Sequence, residues 1–328
     1  MARADLLISL VKAATHGDQA LVRKTIEAMA AEERSKHHTV LAEQLEQQLL
    51  TNGTGPKRDL IPSRPPVAID LVHEITPQKT LADVVVRAAL RRTIEELVEE
   101  HHRADILRSY NLRPRNRLLL IGPPGNGKTS LAEALAHALM VPLVVVRYDA
   151  LITSYLGETA TRLRRLFEFA HTRRCVLFFD EFDTIGKERG DIHETGEIKR
   201  VVSSLLLQID DLPSHVVVIT ATNHPELLDR AVWRRFQIRL ELPPPTREQI
   251  KGYFDLVTQR LNFQLGLSHR TLADKLVGAS FSELEDFVSD IARAYVLALP
   301  GGDPKTIATS KLQQWKARPA VAPSKKRR

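Results

Sequence analysis

The chain has 328 residues, enough for two or three domains rather than one, and contains no uninterrupted apolar run of about 18 residues, which argues against a membrane-spanning helix. Its start lacks the basic, apolar and small-residue order of a secretion signal. Its one cysteine, Cys175, permits neither an intrachain disulfide nor a cysteine metal cluster, so a cytoplasmic setting is expected. The net charge of +7 is concentrated in Lys316, Arg318, Lys325, Lys326, Arg327 and Arg328, which leaves the remainder at +1 and excludes a broadly basic surface.

Residues 1–50 read as a short helical bundle. Leu6, Leu7, Leu10, Val11 and Ala14 form one apolar stripe, Leu21, Val22, Ile26 and Met29 a second, and Leu41, Leu45 and Leu49 a third, with Gly17 and Asp18 separating the first two. Such a bundle serves either as a partner-recruiting or assembly module or as a structural cap. Glycine and proline then mark residues 51–69 as a linker.

A helical run follows in "VRAALRRTIEELVEEHHRADILRSY". The pairs His37-His38 and His101-His102 have no third convergent ligand and read as polar-face residues. From Asn116 short apolar runs alternate with helices: "RLLLI", "PLVVVRY", "CVLFFD", "VVVITAT" and "FQIRLEL". These are candidate strands of a parallel five-stranded sheet buried on both faces, within an α/β domain over residues 70–245. After Pro243-Pro244-Pro245 the pattern is helical again, giving a small domain over residues 246–315 and a basic tail over 316–328. That tail suits DNA, RNA or an acidic surface, or simply keeps the chain soluble.

The chemistry concentrates in the α/β domain. "GPPGNGKT" follows the strand "RLLLI" and precedes the helical "SLAEALAHAL". Gly122, Pro123, Pro124, Gly125, Asn126 and Gly127 make a loop whose amides can face phosphates, with a helix N-terminus behind it. Lys128 is expected to reach the β and γ phosphates, and Thr129, followed by Ser130, to bring its hydroxyl to Mg2+. Asp180, at the end of "FFDE", is a second candidate for Mg2+, and Glu181 is placed to deprotonate an attacking water. A base beside the metal carboxylate favours hydrolysis over transfer to a metabolite and argues against a kinase. Asn223, after "VVVITAT", is placed to meet the γ phosphate or water, and Arg230, Arg234 and Arg235 offer permanent positive charge.

The ordered set "GPPGNGKT", "CVLFFDEFD", "ITATN" and "LDRAVWRRF" resembles the AAA+ ATPases, particularly the AAA protein-remodelling group, over about residues 70 to 300. The resemblance implies a P-loop NTPase core of the AAA+ type, a small helical lid, ATP and Mg2+ as ligands, and a homo-oligomeric ring, most often a hexamer. Asn223 then looks like sensor 1, and Arg234 and Arg235 like arginine fingers offered to ATP in the next subunit. "LVGASFSELEDF" is similar to a lid motif through Gly278, Ser280, Glu283 and Leu284, and the Gly278 region is expected to line adenine and ribose. Arg293 lies too far down its helix to be a sensor 2 arginine, as in the AAA group. In "ITSYLGET", Tyr155, Leu156 and Gly157 correspond to an aromatic-aliphatic-glycine pore loop that grips polypeptide. "GKERGDIHETGEIKR", residues 186–200, suits a second channel loop or a solvated one.

The leading expectation is ATP hydrolysis coupled to remodelling, unfolding or disassembly of a protein. Two others stand beside it: an ATP-dependent regulatory partner of another protein such as a protease or toxin, and a DNA- or RNA-associated switch. The compact layout also looks like bacterial AAA ATPases paired with subtilisin-like serine proteases.

Overall fold

The structure is a computed structural model that describes residues 19–35, 70–151, 156–185, 192–261 and 264–317, in two units, Met1–Arg64 and Pro65–Arg328. In the first unit the described part is one helix, α1 (Gln19–Ser35), in which Thr25 and Ala30 are buried. The rest of the expected bundle, the linker over residues 51–69 and the tail from residue 318 lie outside the described residues.

The second unit opens with β1 (Val72–Ile75), a 3₁₀ turn at Leu81–Asp83, α2 (Ala88–His102) and α3 (Ala104–Ser109). Strands and helices then alternate as β2 (Arg117–Ile121), α4 (Lys128–Ala138), β3 (Leu143–Val146), α5 (Tyr148–Leu151), α6 (Leu156–His171), β4 (Cys175–Phe179), α7 (Ile192–Asp211), β5 (Val216–Thr222), α8 (Arg230–Arg235) and β6 (Ile238–Glu241). Four helices follow: α9 (Arg247–Leu261), α10 (His269–Lys275), α11 (Phe281–Leu297) and α12 (Pro304–Lys316). Side-chain caps fix several helix starts. Asp303 accepts from the amides of Lys305 and Thr306, and Ser280 with Glu283 forms a reciprocal capping box.

The sheet order is β1-β3-β4-β5-β2-β6. Five strands are parallel, and β1 adds a sixth, antiparallel to β3, with Val72 opposite Val146 and Ile75 opposite Leu143. This edge strand carries His73 and Glu74 between two half-buried residues, so it has no apolar run to announce it. The two faces of the sheet bury different neighbours. Leu119, Ile121, Leu177, Phe179 and Val218 join α6 and α7 on one face. Leu118, Leu120, Val176, Phe178 and Ile219 join α2 and α4 on the other. The chain leaves β2 leftward to β3 and then steps back through β4 and β5. Right-handed crossovers in opposite directions put the helices on opposite faces and open a crevice at the C-terminal strand ends.

A third core belongs to the last four helices. Phe254, Leu272, Phe287 and Leu312 fill it, with Trp315 edge-on to Phe287 at 5.9 Å between ring centroids. Each fully buried side chain of this size contributes about 1.5–3 kcal/mol.

Two sequence expectations change. His101 is a buried residue on the inner stripe of α2 with Ile94 and Leu97, and its Nε2 lies 2.7 Å from the Arg115 carbonyl oxygen. Burial pulls its pKa below the ordinary histidine value, opposed by that backbone bond and Glu100. The seven-residue spacing from Ile94 puts His101 on this stripe and not on the polar face, whereas His102 is exposed. In the proposed second channel loop, residues 192–200 are the start of α7, while 186–191 lie outside the described residues.

Cys175 opens β4 and is fully buried, which pushes its thiol up to about 12. Native protein at pH 8 is therefore expected to resist a thiol reagent and to react once unfolded in denaturant. Rapid labelling of the native chain would contradict this packing.

Candidate active site

The pairings Ile121 with Thr222 and Phe179 with Thr220 bring the ends of β2, β4 and β5 together. Gly122 leaves β2 with its amide donating to the Thr222 carbonyl at 3.2 Å. It has φ +154°, and an added Cβ would stand 2.2 Å from the Leu242 carbonyl oxygen, so only glycine fits against the segment after β6. Gly125, at φ +74°, accepts from the Ser282 amide at 2.9 Å and has Ser280 Oγ 2.8 Å from where its Cβ would lie. The loop is therefore held between the sheet and α11.

Lys128 begins α4 and is almost fully buried. Its Nζ donates to the Gly122 carbonyl at 2.8 Å, to the Pro123 carbonyl at 3.0 Å and to Asn223 Oδ1 at 2.6 Å. Burial lowers its pKa, opposed by Asp180, Asp183 and Glu181. Thr129 Oγ1 donates to Asp180 Oδ2 at 3.0 Å. A hydroxyl and a carboxylate side by side, next to a loop that leads into a helix N-terminus, fit a small hard cation shared with phosphate oxygens. Among the described residues no group of three or more His, Cys, Asp or Glu could hold a metal by itself, and Mg2+ commonly takes one or two carboxylates with substrate phosphates. Asn126 is buried in the loop, and its Oδ1 has no hydrogen-bond partner among the described residues.

Glu181 follows Asp180 at φ +47°, a strained conformation for a residue with a Cβ, and its amide donates to Asp180 Oδ1 at 2.9 Å. Behind the two carboxylates lies a rigid aromatic wall: Phe179 meets Phe182 edge-on at 6.3 Å, and Phe182 meets Phe236 at 6.3 Å. The next acid, Asp183, is a site residue to which the sequence motif alone gave no role. It is buried, its Oδ1 accepts from Thr222 Oγ1 at 2.9 Å, and the Asn223 amide lies at 3.4 Å. Asp183 thus fixes the end of β5, and Asn223 there ties to Lys128.

A cleft of about 350 Å³ opens over this loop. Gly125 to Ser130, Asp180, Glu181 and Asn223 line its polar end. The rest of the lining comes from residues the sequence reading missed: Val84 and Val85 ahead of α2, Tyr253, Leu256, Val257 and Arg260 on α9, and Phe281, Ser282 and Glu285 on α11. The Tyr253 and Phe281 rings stand 5.7 Å apart, and burial raises the pKa of the Tyr253 hydroxyl. The spacing 253, 256, 257, 260 is a helical stripe and could have been read as one, but periodicity does not tell a cleft face from a core face. An apolar, aromatic end beside a phosphate-type loop can hold a flat base at one end and its phosphates at the other.

The remaining expected residues lie elsewhere. Gly278, at φ +94° between α10 and α11, does not line the cleft. Arg230, Arg234 and Arg235 lie on α8 and none lines it either. Arg234 is exposed, while Arg235 Nε donates to Asp210 Oδ2 at 2.7 Å. Tyr155 lies outside the described residues, and Leu156 and Gly157 open α6. No described helix is long and apolar enough to cross a membrane.

Residues 118–244 match the family described as "ATPase family associated with various cellular activities (AAA)". The chain is 39% identical over 306 residues to the uncharacterized AAA family ATPase y4kL of Sinorhizobium fredii, covering 90% of each. It is 33% identical over 201 residues to a 26S proteasome regulatory subunit 8 homolog of Encephalitozoon cuniculi, covering 59% of this chain and 51% of that one. Over 186 residues it is 34% identical to a cell division cycle protein 48 homolog of Archaeoglobus fulgidus, covering 55% of this chain and 25% of that one. The match therefore spans about half of the proteasome homolog and a quarter of the other. With the strand-end loop, the lid and a relative aligned along nearly its whole length, this chain belongs to the AAA family and is an ATPase.

Proposed function

We propose that the chain uses ATP hydrolysis to remodel, unfold or disassemble a protein, acting as a ring, in the hexameric form usual for such ATPases. The observation that carries this reading is the parallel pairing of β3 with β4, in which Val145 stands opposite Phe178. The segment leading to Tyr155 leaves the sheet from the same rim as Asp180 and Glu181. Tyr148, which opens that segment, packs 6.4 Å from the ring of Phe179, and its hydroxyl is buried without a hydrogen-bond partner among the described residues. A shift at the carboxylates would reach the candidate pore loop through this contact.

In this reading the amides of Gly125 to Ser130 and the Lys128 ammonium bind the phosphates, with Lys128 exchanging its carbonyl partners for phosphate oxygens. Thr129 and Asp180 would hold Mg2+, which when bound neutralises charge on the phosphates. Glu181 takes a proton from the attacking water as its oxygen bonds to the γ phosphorus and the bond to ADP breaks. Asn223 orients that water or the γ phosphate, and Asp183 positions Asn223. Arg234 and Arg235, which do not line this cleft, are offered to ATP in the neighbouring copy, so turnover needs assembly.

Glu181→Gln is expected to keep ATP binding while lowering kcat by at least about 100-fold, measured by phosphate release. A rate near that of the unaltered chain would remove Glu181 from the role of base. Asp183→Ala leaves Thr222 and Asn223 without their shared acceptor. Chemical denaturation is expected to show a loss of about 1–3 kcal/mol, with kcat about tenfold lower, and unchanged values in both would contradict the positioning role. Tyr155→Ala should leave basal hydrolysis within about twofold while slowing the remodelling of whichever protein the ATP-loaded Glu181→Gln variant retains. Remodelling of that protein at the original rate would rule out the pore contact.

A further inference from the structure

Lys79 reaches the cleft from the segment ahead of α2. Its Nζ donates to Ser130 Oγ at 2.8 Å and lies 3.9 Å from Glu133 Oε2. Glu133 also grips the backbone there, since its Oε1 accepts from the amides of Gln78 at 3.0 Å and Lys79 at 3.3 Å. One residue on, Asp83 Oδ2 accepts from the amide and hydroxyl of Thr80 at 2.8 and 2.7 Å. These contacts anchor the lysine backbone on both sides, so a long flexible side chain is delivered to one place.

That place is the first turn of α4, where unpaired amides favour an anion. Lys128 serves the loop through Gly122, Pro123 and Asn223, on the side of the strand ends. Lys79 serves it through Ser130, two residues beyond Lys128 along α4, and Val84 and Val85, a few residues after Lys79, line the same cleft. An ammonium has three donors. The bond to Ser130 uses one, and Glu133 at 3.9 Å is beyond hydrogen-bond reach, so donor capacity remains for an anion.

We propose that Lys79 is a second phosphate-binding cation, which with Ser130 engages the ribose-proximal phosphate of the bound nucleotide. This rests on the nucleotide reading of the cleft. The contact is common to ADP and ATP and lies away from the bond that breaks, so Lys79 sets how tightly either nucleotide is held and leaves the chemical step alone.

The test is calorimetry of the full chain with ATP and with ADP, adenosine by competition, and steady-state hydrolysis. Lys79→Met, Lys79→Arg and Lys128→Ala are compared with the unaltered protein. Lys79→Met is expected to weaken ATP and ADP alike, roughly fivefold to tenfold, the scale of one partly exposed charge-assisted hydrogen bond. Adenosine affinity and kcat should stay within about twofold, and Lys79→Arg should recover part of the loss. Unchanged ADP and ATP affinities overturn the proposal. So does an equal weakening of adenosine, which would mark a structural role, or a loss confined to ATP, which would place the contact on the γ phosphate. If the unaltered chain binds no ATP, or Lys128→Ala binds it undiminished, the nucleotide reading itself fails.

Discussion

The arrangement of the site depends on one buried ammonium. Lys128 is almost wholly enclosed, and a charge in that position is tolerated only with close partners. Two of its partners are carbonyls of its own loop and the third is Asn223 at the end of β5. The same bonds that satisfy the charge therefore close the loop on itself and lock it to a neighbouring strand. Asp183 extends the chain one step inward by holding Thr222 and the Asn223 amide, so a buried acid sets the position of the residue that contacts the buried base. Phosphate is the natural substitute for the carbonyl partners, because it brings a charge that backbone oxygens lack.

The lid enters this network through the backbone. The Ser282 amide donates to Gly125, which ties the start of α11 to the phosphate loop, and the capping box of Ser280 and Glu283 fixes that helix start. A cleft lined both by the loops at the sheet's strand ends and by the helices of the lid is complete only when both are in place. Nucleotide bound across it would join the two by side-chain contacts at both ends. Loss of the γ phosphate would relax one end only, which is the kind of asymmetric change that a machine driven by hydrolysis requires.

Much of this was legible from residue order. Strands rich in Val, Ile, Leu and Phe were visible as runs because the parallel sheet is covered on both faces, and "GPPGNGKT" carried its own loop chemistry. The edge strand β1 was not, because its four residues set His73 and Glu74 between the two apolar ones and leave no apolar run. Nothing local in the sequence marks Lys79 or Arg260, since only the folded segment ahead of α2 and the orientation of α9 bring them to the cleft. Tyr253 and Phe281 likewise carry no local mark that separates a cleft face from a core face. His101 was misjudged by counting it with His102 as a pair instead of following the helical stripe from Ile94.

Hydrogen exchange on the full chain, with and without ATP, tests the shared cleft most directly. Amides at Gly125 to Ser130 should slow together with those of Tyr253 to Arg260 and Phe281 to Glu285, since sheet and lid hold opposite ends of one ligand. Protection of the loop with no change in either lid segment would contradict the assignment.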